Sequence, residues 1–407
     1  TKNLDGYAGH ADFGEGDETI GILVHLDVVP EGDGWTYPPY SGEIHDGKIF
    51  GRGTLDDKGP AIASLYAMKA LKEANVSLNK KIRIIFGTNE ETGWGCMKYY
   101  FEHEKAPDMA FTPDADFPVI HGEKGIIAFD LVKKIENNSC GDISIKSIKG
   151  GNAVNMVPDY CEAILEVKDM DYIENKLKNF KEKNDYDISI EEKDGIVKVI
   201  AKGSSAHGST PEKGENAFTY LMLFLGEILD CNCDICDFIK IYNEKIALKH
   251  NGEGIGCGFE DEVSGKLNFN PGVIKTEDGK ITLSINIRYP IKSSSEEVYN
   301  GIRKELEGTG IELIEDDDEM KPIYVPKNDP LVEKLMKVYK EETGDLDSEP
   351  ITIGGGTYAR AMDNAVAFGP VFPGQEEVAH QKDEYISIEH LMKMAKIYAK
   401  ALYELAK

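Results

Sequence analysis

The stretch GILVHLDVVP, residues 21–30, ends a hydrophobic run with a histidine and an aspartate just before a proline. Residues 22–24 predict a short buried strand, because a strand covered on both faces is apolar at successive positions. Side chains alternate across a strand, so we expect His25 and Asp27 to point to the same side. A carboxylate beside a histidine fixes the tautomer of a metal-binding imidazole. Two polar residues at a strand end can also simply meet solvent, and this stretch alone leaves both interpretations open.

Strand and helix patterns alternate over residues 21–127. The segment GPAIASLYAMKALKEANV predicts a helix with Ala61, Leu65, Met68 and Leu71 on one face. The segments KIRIIFGTNEE and MAFTPDADFPVI predict two further strands that end in carboxylates. Strands separated by helices indicate a parallel sheet, which binds its ligands at the carboxyl ends of its strands.

The pattern changes near residue 128. The segments IIAFDLVKK, CEAILEVKD and KITLSINIRYP alternate as half-exposed strands do, and amphipathic helices such as SSEEVYNGIRKELEG lie between them. After KPIYVP the α/β pattern returns and continues to a terminal helix. We therefore predict an α/β fold, in which residues 1–127 and 325–407 form a domain with a mixed, largely parallel sheet. Residues 128–324 form an inserted α+β domain.

Length and charge limit the possible functions. A chain of 407 residues favours two domains. Its 73 Asp and Glu against 46 Lys and Arg give a net charge of −27, which disfavours nucleic acid and anionic membrane as partners and is compatible with cation binding. The longest apolar stretch, AFTYLMLFLGEIL, is too short to cross a bilayer and indicates a buried helix.

The cysteines predict neither a disulfide framework nor a zinc site. Seven are scattered over a chain that shows no secretory signal, which favours a reducing, cytoplasmic setting. The cluster CNCDIC, residues 231–236, contains one C-x-x-C pair, but no second pair follows, so we expect no metal there. The glycine-rich GEGIGCG, residues 252–258, lacks a clear strand–turn–helix context, which leaves a nucleotide-binding protein with little support.

Four further segments carry residues that metal chemistry uses: GRGTLDDKGP (51–60), TNEETGWG (88–95), TPDADFP (112–118) and EEVAHQKDEYI (376–386). Alone, each has an ordinary alternative, such as a helix cap by Asp57 or a structural His380. Adjacent glutamates at a strand end, here Glu90 and Glu91, face opposite ways, so one can bind metal while the other moves protons. Together, two histidines and three carboxylates suit two divalent ions, and a donor set without thiolate points to zinc, manganese or cobalt.

In their order along the chain, HLDVVP, GRGTLDDKGP, TNEETGWG, TPDADFP and AHQKDEY resemble the motifs of the dinuclear zinc metallopeptidases related to aminoacylase and carboxypeptidase G. The chain is most similar to the PepV-type bacterial dipeptidases, and the similarity runs through nearly all of it. The resemblance implies a metal-binding catalytic domain and an inserted lid domain. It also implies a cis peptide bond between Asp56 and Asp57, and a longer segment before Thr1.

The resemblance implies two metal ions, most readily zinc, whose ligands are His25 and Asp114 for one ion, Glu91 and His380 for the other, and Asp56 for both. Asp116 remains an alternative to Asp114, since either could face the metal. Asp27 matches the residue that orients His25. Glu90 matches the general base of the reaction.

The inserted domain also matches residues that contact substrate in the family. SSAHGSTPEKGENA places His207 where a lid histidine reaches the substrate carbonyl oxygen. Asn155 in GGNAVNMVPD and Arg288 in INIRYP resemble residues that hold the C-terminal carboxylate of the peptide, a role that suits the planar guanidinium. The glycine-rich IGGGTYAR, with Gly355, is expected to let backbone approach the substrate closely.

The function that the resemblance implies is metal-assisted hydrolysis of dipeptides with broad preference, possibly extended to β-alanyl-histidine. In PepV-type enzymes a long lid takes the place of a partner subunit, so we expect a monomer that acts on small peptides. An N-acyl amino acid amidohydrolase of the same family is the first alternative. A non-enzymatic metal-binding scaffold is another, against which the intact Glu90 argues because a base need not bind metal.

Overall fold

The structure is a computed structural model that describes residues 1–137, 139–193, 195–229 and 231–407. The chain divides into two compact units. The first unit consists of Thr1–Glu123 and Ile323–Lys407, and the second unit consists of Lys124–Pro322. The domain boundaries expected from the sequence, at residues 127/128 and 324/325, stay predictions.

The helices alternate with strands in the first unit and are interspersed among strands in the second. The α-helices are α1 (Lys58–Glu73), α2 (Gly95–His103), α3 (Met170–Lys183), α4 (Ala217–Ile228), α5 (Asp234–Lys245), α6 (Ser295–Leu306), α7 (Pro330–Thr343) and α8 (Ile388–Ala406). Short 3₁₀ turns occupy Pro211–Lys213 and Tyr358–Ala361.

The strands belong to two large sheets and three small ones. In chain order they are β1 (Lys2–Leu4), β2 (Ala8–Phe13), β3 (Thr19–His25), β4 (Glu43–His45), β5 (Lys48–Phe50), β6 (Lys81–Gly87), β7 (Met109–Thr112), β8 (Ala115–Asp116), β9 (Ile120–Glu123), β10 (Gly125–Lys134), β11 (Ser139–Cys140), β12 (Ile143–Gly150), β13 (Tyr160–Val167), β14 (Asp187–Lys193), β15 (Ile196–Lys202), β16 (Glu260–Asp261), β17 (Gly265–Lys266), β18 (Asn268–Glu277), β19 (Lys280–Tyr289), β20 (Ile311–Glu315), β21 (Ile323–Tyr324), β22 (Ile351–Ile353), β23 (Ala365–Ala367), β24 (Pro370–Val371) and β25 (Tyr385–Ser387).

The large sheet of the first unit has the order β1-β2-β6-β3-β7-β23-β9-β21, with β22 beside β9. Its central strands β6, β3, β7 and β23 are parallel neighbours. The strands β1 and β2 at one edge and β21 at the other pair in antiparallel fashion. The prediction of an α/β fold with a mixed sheet is therefore confirmed. Parallel pairing dominates only at the centre.

The central strand β3 is buried on both faces because side chains from the two sides of the sheet cover it. Ile22 and Val24 belong to an apolar cluster with residues of α1, α7 and α8. Leu23, between them, belongs to a second cluster with residues of α2 and with Tyr358. The successive apolar residues that precede His25 follow from this two-sided burial.

Helix α1 buries a stripe that differs by one residue from the predicted one. Ala61, Met68 and Leu71 are buried, but Leu65 is 37% exposed and Ser64 is buried instead. The predicted face was wrong at this position because the buried residues follow spacings of three, four and three, which keep one side of a helix of about 3.6 residues per turn toward the sheet.

The second unit is built around an antiparallel sheet of order β14-β15-β13-β12-β18-β19-β10-β20, with β11 beside β12. Helices α3 to α6 complete it, and α4, the apolar stretch from Ala217, is a largely buried helix. The GEGIGCG segment forms turns rather than a strand–turn–helix unit. Across the described residues, none of the helices is both long and apolar enough to cross a lipid bilayer.

Candidate metal centre

His25 ends strand β3 at the carboxyl edge of the sheet and is fully buried. Its Nδ1 lies 3.0 Å from the carbonyl oxygen of Asp27 and 3.5 Å from Oδ1 of the same residue. Its Nε2 lies 2.8 Å from Oδ1 of Asp56. One ring nitrogen is thus engaged by Asp27, and the other faces the carboxylate predicted to bridge the two ions.

Asp56 joins two groups of ligand atoms. Its Oδ1 faces His25, and its Oδ2 lies 2.9 Å from Nε2 of His380, which is in turn 3.1 Å from Oε2 of Glu91. In each group the ligand atoms lie within 4.8 Å of one another, and each group could hold a metal ion. His380 has a φ of 62°, in the left-handed region that is uncommon for residues other than glycine and often marks functional sites.

Asp114 completes the first group. Its Oδ2 lies 3.6 Å from Nε2 of His25. Asp116 follows on β8, and among the described residues the two groups contain Asp114 and not Asp116. The five residues expected as ligands from the sequence are therefore brought together, and Asp114 rather than Asp116 lies in the first group.

The adjacent glutamates are positioned differently from the sequence expectation. Strand β6 ends at Gly87, so Glu90 and Glu91 lie in the turn after it and not on opposite faces of a strand. The carboxylate of Asp27 accepts hydrogen bonds from both of their backbone N–H groups, at 3.0 and 3.1 Å. Glu90 accepts a further bond from the indole of Trp94 at 3.1 Å. Asp27 thus ties this turn to the end of β3.

The loop that carries Asp56 is held by a buried ion pair that the sequence analysis missed. Oε1 of Glu384 accepts hydrogen bonds from the backbone N–H groups of Leu55 and Asp56, at 2.9 and 3.2 Å. Its Oε2 accepts from Nη1 of Arg52 at 2.7 Å, and both side chains are buried. Glu384 lies four residues after His380 in the same motif, and an acidic residue amid that motif was the available signal.

Asp57 does not cap helix α1 with its side chain. Its Oδ2 instead accepts a hydrogen bond from the backbone N–H of His25 at 3.1 Å, and its side chain is fully buried. The peptide bond between Asp56 and Asp57 is cis. The helix-cap alternative for this segment is therefore wrong, and both aspartates face the end of β3.

Burial and neighbouring carboxylates raise the pKa values of the acidic side chains, and the histidines lower them. Burial, together with the charge of Asp114, raises the pKa of Glu90 to about 9. Burial and then the charge of Asp56 raise the pKa of Asp114 to about 7. Burial also opposes ionisation of Asp56, but its hydrogen bonds to His25 and His380 outweigh this and hold its pKa well below the ordinary value. These carboxylates repel one another, and bound cations relieve such repulsion.

The donor atoms fit divalent ions. If Nδ1 of His25 donates to the carbonyl oxygen of Asp27, then Nε2 of the neutral ring carries a lone pair and faces Oδ1 of Asp56. Two acceptors 2.8 Å apart need a proton or a cation between them. Imidazole nitrogens and carboxylate oxygens are ligands of zinc, manganese and cobalt, and the contact to Asp27 sets the tautomer that metal binding requires.

The predicted substrate contacts of the second unit are linked within that unit. The backbone N–H of Gly208, next to His207, donates to the carbonyl oxygen of Asn155 at 2.7 Å. The imidazole Nδ1 of His207 lies 2.7 Å from Oγ of Ser209. Nε of the buried Arg288 donates to Oδ1 of Asn286 at 2.9 Å. Their roles toward substrate stay predictions.

The loop that contains Gly355 is anchored by a second buried acidic residue. Glu123 accepts hydrogen bonds from Nε of Arg360 at 2.6 Å and from Oγ1 of Thr357 at 2.7 Å. Arg360 also donates from Nη2 to the carbonyl oxygen of Gly355 at 2.9 Å. Tyr358, which follows Thr357 in the chain, packs edge-on to His25 with ring centroids 6.1 Å apart. A fixed loop therefore lies beside the centre, and the predicted approach of its backbone to substrate is untested.

The sequence matches peptidase family M20/M25/M40 over residues 21–404. A Bacillus subtilis protein named "Putative dipeptidase YtjP" is 42% identical over 411 residues, which cover 100% of this chain and 87% of that protein. A "Putative dipeptidase" of Staphylococcus epidermidis is 41% identical over 410 residues with the same coverage.

Solved structures share the fold at low sequence identity. The aminoacylhistidine dipeptidase of Vibrio alginolyticus has a TM-score of 0.57 at 18% identity, over 98% of this chain and 87% of that one. Human carnosine dipeptidase 1 has a TM-score of 0.56 at 16% identity, over 98% and 82% of the two chains.

Imidazole and carboxylate groups that could hold metal ions are gathered at the carboxyl ends of the strands of an α/β sheet, an arrangement that metal-dependent hydrolytic enzymes use. Within this class, the chain belongs to peptidase family M20/M25/M40. The prediction that it is a metallopeptidase is therefore confirmed.

Proposed function

We propose that the protein hydrolyses the peptide bond of dipeptides with the help of two divalent metal ions. The observation that carries the proposal is the position of Asp56, whose two carboxylate oxygens face two different histidines. One ion would be held by His25 and Asp114, the other by Glu91 and His380, and Asp56 would contact both. Relatives at about 40% identity that carry the name dipeptidase support the choice of substrate.

The ions would be zinc, with manganese or cobalt as alternatives. When bound, such ions polarise a carbonyl oxygen and lower the pKa of water toward neutrality. The protein supplies the geometry. The buried pair of Arg52 and Glu384 orients the Asp56 loop, and the carbonyl oxygen of Asp27 selects the tautomer of His25.

Glu90 is assigned the role of general base. It is absent from both groups of ligand atoms, and its Oε1 is oriented by the indole N–H of Trp94. Bound cations would lower the raised pKa of this half-buried carboxyl group, and because it binds no metal itself it could then take a proton from the attacking water and deliver it to the leaving amine. Among the described residues of the centre, Glu90 is the carboxylate best suited to this transfer.

The finer assignments follow the resemblance to PepV-type enzymes. In the proposal the second unit acts as the lid, His207 stabilises the substrate carbonyl oxygen, and Asn155 and Arg288 hold the substrate carboxylate. Gly355 lies in the loop that the substrate backbone would approach. The enzyme would act as a monomer. We also propose a reducing, cytoplasmic setting, as the odd number of scattered cysteines suggests.

The test of this proposal is Glu90→Gln. We expect kcat to fall about 10²–10⁴-fold, the usual contribution of a general base, while the two equivalents of metal that this centre holds stay bound. The matched control is Glu15→Gln, an exposed glutamate of the same unit, which should keep full activity. Normal metal content with undiminished activity in Glu90→Gln would exclude this residue as the base.

The substrate class is tested separately with the metal-loaded wild-type protein. Ala-His and other dipeptides are compared with N-acetylated amino acids in the presence of zinc or manganese. We expect the dipeptides to be hydrolysed with the higher kcat/KM. The reverse preference would make the protein an N-acyl amino acid amidohydrolase, and no turnover of either class by the loaded protein would support a binding scaffold.

A further inference from the structure

Four cysteines of the second unit converge at one place away from any residue assigned above. Sγ of Cys236 lies 2.8 Å from Sγ of Cys233 and 3.3 Å from Sγ of Cys231. Cys140, which is 91 positions before Cys231 in the sequence, brings its Sγ within 4.8 Å of those of Cys231 and Cys236. A C-x-C-x-x-C segment is thus joined by a fourth thiol from a distant part of the chain.

The fourth thiol was not foreseeable from cysteine spacing, and the expectation of no metal at residues 231–236 rested on its apparent absence. Cys140 ends the short strand β11, and Gly141, with a φ of 59°, starts the turn into β12. A hairpin therefore presents Cys140 to the start of helix α5.

The two segments are tied together before any ligand binds. The carboxylate of Asp234, in the first turn of α5, accepts hydrogen bonds from the backbone N–H groups of Glu136 and Asn137, both at 2.9 Å. The backbone N–H of Asp234 donates to the carbonyl oxygen of Asn137 at 3.2 Å. These contacts hold residues 136–137, which precede Cys140 in the chain, beside the start of helix α5.

The environment favours sulfur in its ionised form once a cation is present. Cys233 is the N-cap of α5, and its Sγ accepts a hydrogen bond from the backbone N–H of Cys236 at 3.4 Å. The N-terminus of a helix stabilises negative charge. Without a cation the crowded thiols resist ionisation, since burial and a hydrogen bond to Cys140 raise the pKa of Cys231 to about 12.

The spacing of the sulfur atoms is near that of a tetrahedral thiolate site. A zinc–sulfur distance of about 2.3 Å places the four sulfurs of such a site about 3.8 Å apart. The Sγ atoms of Cys140, Cys231 and Cys236 lie within 4.8 Å of one another, a range that includes this value, and Sγ of Cys233 adjoins this group at 2.8 Å from Sγ of Cys236. A surface cavity of about 490 Å³, lined in part by Cys140 and Cys231, gives an ion a path to the sulfurs.

We propose that Cys140, Cys231, Cys233 and Cys236 bind one thiophilic divalent ion, typically zinc, in a structural site of the second unit. Four converging thiols suit a closed structural metal site, whereas a single disulfide would use only two of them. This site is independent of the proposed function, because none of its ligands belongs to the catalytic centre.

Cobalt distinguishes the two centres, because only a thiolate ligand produces a sulfur-to-cobalt charge-transfer band in the near ultraviolet. The full chain is reduced with a phosphine, freed of metal with a chelator and titrated with Co²⁺. We expect this band to saturate when the chain holds one equivalent of Co²⁺ more than the imidazole and carboxylate centre binds. Intact mass measured before reduction reports whether the cysteines carry a disulfide.

Variants separate the cluster from the other thiols. Cys236→Ser should abolish the band. If that variant does not fold, Cys231→Ser, at a partly exposed position, is the substitute test, and it should weaken and shift the band. Cys257→Ser, a buried thiol of the same unit outside the cluster, should keep it. Absence of the band in the reduced wild-type chain overturns the proposal. So does a chain isolated two hydrogens lighter, as a disulfide, that gives no band after reduction.

Discussion

The two clusters of potential ligands differ in the charge they carry and in what holds them. The centre of the first unit consists of carboxylates and imidazoles, and its loops are fastened by further buried charges such as Arg52 and Glu384. The cluster of the second unit consists of thiols placed by a hairpin and a helix start. Buried ion pairs therefore position the first cluster, whereas backbone turns and the hydrogen bonds of the Asp234 carboxylate position the second.

This contrast has a chemical consequence. Oxygen and nitrogen donors leave a bound ion able to polarise water and substrate, whereas four thiolates close the coordination sphere of a structural ion. The two clusters should accordingly respond to different substitutions. The predictions below change charges in the first unit, beginning with the one expected to matter most.

Asp56→Ala removes the carboxylate that both groups of the first unit share. We expect kcat/KM to fall by more than the roughly 10²–10⁴-fold that loss of a general base costs, because both ions lose a ligand. Metal analysis should show loss of the ions of this centre, while the sulfur-to-cobalt band of the second unit persists. Asp33→Ala, at an exposed aspartate, is the control that should retain activity. Loss of the sulfur band in Asp56→Ala would break the contrast between the clusters.

Glu384→Gln tests whether a buried charge pair holds the centre together. Removing one partner of a buried ion pair costs about 3–5 kcal/mol, and we expect the lower end because Arg52 also donates to the carbonyl oxygen of Gln381. Both tryptophans, Trp35 and Trp94, lie in the first unit, so their fluorescence during denaturant unfolding reports this unit. A chelator in the buffer removes the contribution of bound metal.

The matched control for this variant is Glu376→Gln, at an exposed glutamate of the same segment. Surface substitutions of this kind change the free energy of unfolding by about 0.5 kcal/mol or less. If Glu384→Gln were as mild as the control, the buried pair would not be what positions the Asp56 loop.

The same contrast explains how much of the metal centre could be predicted from the sequence. His25, Asp56 and His380 could be named because strand ends and ordered motifs have short-range signatures. The roles of Glu384 and Cys140 were missed, because each acts through a contact with a segment about a hundred or more positions away, and the acidic residue in the His380 motif was the only signal for either. The prediction that Leu65 lies on the buried face of α1, where Ser64 lies instead, is a smaller error with the same cause. Packing against the rest of the fold decides which residue is buried.

Asp27→Asn is expected to have an intermediate effect. The amide keeps the size of the side chain but loses the negative charge, and one of the two oxygens that accept hydrogen bonds from the backbone N–H groups of Glu90 and Glu91 becomes an NH₂ group. The contact between the backbone carbonyl oxygen of residue 27 and His25 remains. Substitutions in residues that orient metal ligands typically lower metal affinity about 10–100-fold. Competition with a chromophoric chelator measures this affinity, and Asp17→Asn, at an exposed position, is the control. An unchanged metal affinity would mean that the backbone carbonyl alone orients His25.

The smallest effect is expected for an ion pair of the first unit that is open to solvent. Asp12 on β2 and Arg83 on β6 form two hydrogen bonds, of 2.7 and 2.8 Å, and the carboxylate is 31% exposed. Pairs in contact with water contribute about 0.2–1 kcal/mol, so Asp12→Asn should cost no more than this at pH 7.

Its dependence on pH follows from the pKa of Asp12, which the hydrogen bond to Arg83 lowers. Since the folded-state pKa lies below the unfolded value of about 3.9, the contribution is complete above that value and disappears as the pH falls through the lowered one. Tryptophan-monitored unfolding should therefore show wild type and Asp12→Asn converging below about pH 4. Because Asp12 and Glu384 both pair with arginine in the same unit, a cost for Asp12→Asn equal to that of Glu384→Gln would show that burial does not set the value of these charges.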